Sequence, residues 1–128
     1  MQLKLQILDS EFSVCQLKPD EPVPNWIDLN SQLFFSISRT DDELSMIVPS
    51  PWVPDDTKAQ REFICFRVIG ELEFDVIGVI AAISRVLAEV KIPILSISTY
   101  NTDYFLVSKS RHADALSALG QSGYEFVE

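Results

Sequence analysis

The second half of the chain carries the clearer alternation of apolar and polar positions. Phe63 to Ile69 is apolar with few interruptions and ends at Gly70, which predicts a buried strand. Val76, Ile80, Ile83, Leu87 and Val90 then recur at helical spacing, the stripe of a helix lying on a sheet. Asp75 is placed to accept hydrogen bonds from the first-turn amides, with Phe74 and Val79 as the flanking apolar pair. Gly78, Ala81, Ala82 and Ala88 give this helix a side of small residues, and Pro93 stops it. Ile94 to Tyr100 is β-branched and alternating, and Tyr104 to Val107 returns after an Asn101-Thr102 turn, which predicts a hairpin. Ser110 is positioned to cap a shorter helix that uses Ala115, Leu116 and Leu119, and Gly123 suits its end. Tyr124 to Val127 closes the pattern as a last strand. The order is β-α-β-β-α-β, the split βαβ of ferredoxin-like folds, with both helices on one face of a four-stranded antiparallel sheet. Cys65, Ile94 and Phe105 do not all fit beneath the helices, so a second domain or a partner chain is expected to cover the other face.

The first half is strand-rich. Leu3, Leu5 and Ile7 alternate with polar residues, Asp9-Ser10 reads as a turn, and Phe12 and Val14 begin a second strand. A short helical turn is expected around Trp26 to Leu29. Leu33 to Ser38 and Leu44 to Val48 form a hairpin through Thr40-Asp41-Asp42. Pro49, Pro51 and Pro54 break regular ladders, so 49–60 reads as a linker between residues 1–60 and 61–128. An internal echo supports two related subdomains: at an offset of 60 residues, Ser36-Ile37-Ser38 lies over Ser96-Ile97-Ser98, each followed by a polar turn and a returning strand. The fold expected is α+β, with two ferredoxin-like subdomains. The C-terminal one is βαββαβ; the N-terminal one is a degenerate, strand-rich version.

Composition narrows the partners. Ten Lys and Arg against 19 Asp and Glu give a net charge of −9, a poor match for nucleic acid or an anionic membrane surface. Nothing resembles a signal peptide, and Val76 to Val90 is short for a membrane span, so a cytoplasmic protein is expected. Cys15 and Cys65 belong to no paired motif and read as buried thiols.

Catalytic and metal chemistry find little to stand on. His112, the one histidine, reads as solvated on the outer side of the second helix, so neither a metal centre nor a triad is expected. The loop after the first strand of the second half carries Glu71, Glu73 and Asp75 rather than thiols or an anion-holding arginine. Phe66 and Phe105 are candidates for the open sheet face on which this fold stacks RNA bases, but basic residues do not accompany them. Two features favour a small ligand. Gly78 can let a ligand's backbone approach a helix N-terminus whose amides attract a carboxylate. Asp103, opening an otherwise apolar strand, can either bond turn amides or receive an amino group. Together they would recognise both ends of a zwitterion.

Gly70-Glu-Leu-Glu-Phe-Asp-Val-Ile-Gly78 and Ser98-Thr-Tyr-Asn-Thr-Asp-Tyr104 resemble the ACT domains of a small bacterial family akin to the eukaryotic cytosolic arginine sensors, and are similar to the regulatory ACT domains of aspartate kinase. Phe12 to Trp26 and Ser38 to Ser45 look like the N-terminal ACT-like domain of the same family. The resemblance implies a non-catalytic regulatory module binding a small ligand, an amino acid, at an interface between ACT units. By position it implies a ligand site of Gly70, Asp75, Val76 and Gly78 on one side and Ser98, Thr99, Tyr100 and Asp103 on the other. No kinase or dehydrogenase domain accompanies these motifs, so output is expected through a protein partner, or the chain works as a stand-alone sensor; a homo-oligomer is expected as well. No cofactor, nucleic acid or membrane is implied. The alternative is a tandem ACT interaction protein without a small-molecule ligand.

Overall fold

The computed structural model describes residues 4–69 and 78–127. The chain divides into two compact units, Met1–Asp9 with Phe63–Glu128, and Ser10–Glu62. The first contains the expected elements in the expected order: β4 (Ala59–Val68), α1 (Val79–Glu89), β5 (Leu95–Ser98), β6 (Asp103–Ser108), α2 (His112–Gln121) and β7 (Glu125–Val127). Antiparallel pairing joins β4 to β6 and β5 to β6. One strand was not anticipated in this sheet. The start of β1 (Lys4–Leu17) lies between β4 and β7, so the order is β5-β6-β4-β1-β7 rather than four strands. Its Lys4 to Gln6 pair in parallel with Glu125 to Val127, and the Lys4 carbonyl accepts the Ile69 amide at 2.8 Å. Leu5, fully buried, joins the helix-side core with Phe66, Val68, Phe105 and Val107.

Phe105 and Ile94 both belong to that core, and Cys65 faces the opposite side opposite Leu106. The expected crowding is thus resolved by simple alternation along the strands. Phe66 and Phe105 stack with ring centroids 5.5 Å apart beneath the helices, which removes them as base-stacking candidates. α1 presents Val79, Ile83 and Leu87 to the core, while Ile80 and Val90 are exposed. The stripe therefore starts one position before Ile80; Val79 and Ile80 are adjacent and apolar, so spacing alone does not choose between them. Its first residue is Val79, with Gly78 as N-cap; Asp75 and Val76 lie outside the described residues.

Both helices end in the same motif. At α2, Tyr124 N–H donates to Leu119 C=O and Gly123 N–H to Gly120 C=O, with Gly123 at φ +97°. At α1, Ile92 N–H donates to Leu87 C=O and Lys91 N–H to Ala88 C=O, with Lys91 at φ +62°. This Schellman arrangement satisfies the terminal carbonyls and buries the residue after the left-handed one. α1 thus ends before Pro93 comes into play. Ser110 does not cap α2: its hydroxyl bonds that of Ser108 at 3.1 Å, and a 3-10 turn over Lys109–Arg111 leads into the helix.

The unit Ser10–Glu62 orders its strands β2-β3-β1-β4, where β2 is Ser36–Arg39 and β3 is Leu44–Pro49. This is the ferredoxin-like strand order with neither helix in place. Where the first helix would stand, residues 18–35 make turns, and no helix forms over Trp26 to Leu29. Where the second would stand is a 3-10 turn at Ser50–Trp52. Leu44, Met46 and Val48 alternate onto the face these segments cover, packed with Cys15, Ile27 and Val53 and flanked by Trp26, Phe35 and Trp52. Phe35 and Trp52 meet with centroids 5.8 Å apart. Large aromatic and branched side chains from loops thus bury the face that helices would otherwise cover. Asp9-Ser10 makes no turn; β1 passes through it without interruption.

Candidate functional site

The β5–β6 turn is built from side-chain hydroxyls. Thr99 N–H donates to Thr102 C=O at 2.8 Å, and Thr102 N–H donates back to Thr99 Oγ1 at 3.3 Å. A threonine opening a turn this way gives the backbone a local substitute for ladder bonds. Thr102, only 4% exposed, then donates its own Oγ1–H to the Val68 carbonyl at 2.9 Å. Val68 is the last residue of β4, and the chain leaves it toward α1. The turn is thereby tied to the strand end from which the β4–α1 connection departs.

Asp103 follows directly and opens β6. It lies on the face of Phe105 and Val107, and Ser98 stands opposite it in the β5–β6 ladder. Ser98 Oγ donates to Asp103 Oδ1 at 2.6 Å, a short bond of the charge-assisted kind. Asp103 is 9% exposed. An ionised carboxylate offers about four acceptor positions, of which the Ser98 hydroxyl takes one. A carboxylate with such surroundings holds a fixed orientation at low exposure, which suits it to receive a cationic or N–H group.

The structure brings Ser98, Thr99 and Asp103 together in this turn and leaves Tyr100 at its tip, 76% exposed. Gly78 caps α1 in the left-handed conformation at φ +87° and has no side chain of its own to offer that first turn. A Cβ at Gly78 would meet nothing within 4 Å, so its glycine answers to backbone conformation and not to close helix packing. Gly70, Asp75 and Val76 lie outside the described residues. Thr102 was missed as a site residue. A threonine in a polar turn is unremarkable in sequence, and its partner lies 34 residues away.

Other chemistry-bearing residues sit elsewhere. Both thiols are buried. Burial pushes Cys65 up to about 12 and raises Cys15 as well, against the pull of Arg61. His112 is not solvated as expected: it is half-buried, and its Nδ1 is buried with no hydrogen-bond partner among the described residues. Desolvation lowers its pKa below the ordinary 6.5. Among the described residues no group of His, Cys, Asp or Glu is arranged to hold a metal, and no helix is long and apolar enough to cross a membrane.

Fold and turn together define an α+β module of ferredoxin-like topology with a buried carboxylate at one end of its sheet. The model of the ACT domain matches residues 58–121, half of the chain, and the protein belongs to the ACT domain family. A second family model, of an N-terminal domain, matches residues 10–56. Protein Atu0741 from Agobacterium tumefaciens is similar over 99% of this chain and 93% of its own, at 29% identity and a TM-score of 0.91. Protein VC0802 from Vibrio cholerae shares the fold over 94% of this chain and 90% of its own, at 20% identity and a TM-score of 0.75. So does the regulatory subunit of aspartate kinase from Thermus thermophilus, over 89% and 94%, at 12% identity and a TM-score of 0.59. No curated protein sequence matches the chain.

Proposed function

We propose that this protein is a non-catalytic regulatory module that binds an amino acid at an interface between ACT units. The observation that carries the reading is the Asp103 carboxylate, little exposed and oriented by the Ser98 hydroxyl. It would receive the ligand's ammonium. The N-terminus of α1 at Gly78 would take the ligand's carboxylate, since first-turn amides carry partial positive charge. Thr99 and Tyr100 would line the turn side, and Gly70, Asp75 and Val76 the other. Neighbours named as aspartate kinase regulatory domains support the regulatory part of the reading. A homo-oligomer would supply the second ACT unit, and a partner protein the output.

A thermal-shift screen against the twenty amino acids, followed by titration of any that raises the melting temperature, tests this directly. Asp103→Asn keeps the shape and removes the charge. It should weaken binding by about 1.5–3 kcal/mol, roughly 10- to 150-fold. Equal affinity in the variant would remove Asp103 from the site. No shift with any amino acid would favour the tandem ACT interaction protein instead.

A further inference from the structure

We propose that Thr102 is the positioning residue of this site, its hydroxyl tying the β5–β6 turn to the end of β4 so that Asp103 meets the ligand from a fixed place. The inference rests on the amino-acid-binding reading above.

The molecule holds its own control. Arg39 pairs with Leu44 in one hairpin and Ser98 with Asp103 in the other, so the two turns superpose at an offset of 59 residues. The same backbone device closes both. Thr40 N–H donates to Glu43 C=O at 2.9 Å and Glu43 N–H to Thr40 Oγ1 at 3.2 Å, as Thr99 and Thr102 do. The first turn closes with a glutamate where the second has Thr102, and Glu43 sends its side chain to an exposed bond with Gln16. Turn formation therefore does not require a threonine at this position. The buried bond from Thr102 Oγ1 to the Val68 carbonyl is an addition specific to the hairpin that carries Asp103. It holds Val68 from one side, while the Lys4 carbonyl holds the Ile69 amide at 2.8 Å from the next strand. The last two residues before Gly70 are thus fixed by separate groups. Thr102 and Asp103 thus put the anchor to β4 and the receptor of the ammonium on consecutive residues, so a shift of the turn displaces both. Positioning of this kind acts on affinity without any contact to the ligand.

Thr102→Val retains shape and removes the hydroxyl; Thr102→Ser restores it. Thr102→Ala, which leaves room for a water at the Val68 carbonyl, replaces the valine variant if that does not fold. Affinity for whichever of the twenty amino acids shifts the wild type is measured well below the melting temperature of each variant, with amide hydrogen exchange at Ile69 in the unliganded protein. The expected result is at least tenfold weaker binding and faster Ile69 exchange in Thr102→Val, wild-type values of both in Thr102→Ser, and unchanged protection of the Thr99 amide. Wild-type affinity in Thr102→Val would overturn the positioning role and leave the ligand reading standing. A melting temperature lowered with affinity and Ile69 exchange unchanged would reduce Thr102 to fold stability alone, and overturn it too. Absence of binding by the wild type to all twenty would overturn both together.

Discussion

Two residues at matching positions show how much a single backbone conformation decides. Gly123 and Lys91 both occupy the left-handed position after a helix, at φ +97° and +62°. Glycine takes this conformation freely, whereas a side chain meets the following carbonyl. Lys91 is exposed, and its conformation is maintained by the bonds on either side: Ile92 N–H to Leu87 C=O at 2.9 Å, and Arg111, which donates to the Lys91 and Val90 carbonyls at 3.3 Å. Lys91→Gly should therefore stabilise the protein by about 0.5–1 kcal/mol, the relief of strain less the entropy glycine adds to the unfolded chain. A denaturant midpoint that falls or stays fixed would contradict this. The end of α2 was legible in the sequence because Gly123 advertises it. The end of α1 was not, because nothing about a lysine signals a left-handed residue and Pro93 offered a more conspicuous stop. Asp103 was legible for the opposite reason: a charge at the head of an apolar strand needs an explanation. Ser98 entered through the resemblance, and its bond to Asp103, like that of Thr102 to Val68, required the structure.

At the level of elements, the hairpins, both helices and the β-α-β-β-α-β order followed from apolar periodicity, and β1 did not. Phe12 and Val14 suggested a new strand after Asp9-Ser10, yet the core-facing positions are Leu5 and Ile7 in one unit and Cys15 and Leu17 in the other, all odd-numbered along one strand. Leu5 and Ile7 were read on the correct side, and Phe12 is fully buried too, on the other face of the same strand; it was this change of parity that read as a strand break. The echo of Ser-Ile-Ser shows the same sensitivity. It aligns at an offset of 60, whereas the paired strands align at 59, and one residue of slip turns every side chain to the other face. The hairpins are equivalent in structure, but the three identical residues are not equivalent positions. The placement of β1 makes a testable statement about stability. Leu5 lies about sixty residues before the unit whose core it completes, fully buried with Phe66 and Leu119. Leu5→Ala should destabilise the protein by about 2–5 kcal/mol, the range for emptying a packed core position. A loss below 1 kcal/mol in chemical denaturation would mean that the first strand frays from the sheet and carries little of its stability.

For the whole molecule, the offset of 59 sets the two hairpins side by side and shows how their equivalent positions differ. The counterpart of Ser98 is Arg39, and the counterpart of Asp103 is Leu44, fully buried among Met46, Val48 and Cys15. Where one hairpin presents a carboxylate with an orienting hydroxyl, the other continues its apolar core to the end of the strand. Unpaired charge in such a core is strongly disfavoured, so the two roles exclude each other at this position. The helix whose N-terminus would complete the site is also lacking from Ser10–Glu62, where residues 18–35 make turns instead. On the proposed reading, one unit is the receptor and the other a scaffold. Titration calorimetry with a binding amino acid should therefore saturate at one ligand per chain, and Asp103→Asn should affect that single class of site. Leu44→Asp should supply no second site and should instead lower the melting temperature, because the new carboxylate has neither the Ser98 hydroxyl nor a helix terminus to meet. Two equal sites per chain would place a ligand in Ser10–Glu62 as well. The recognition chemistry would then have to lie outside this turn, and Asp103 would lose its role as the receptor of the ammonium.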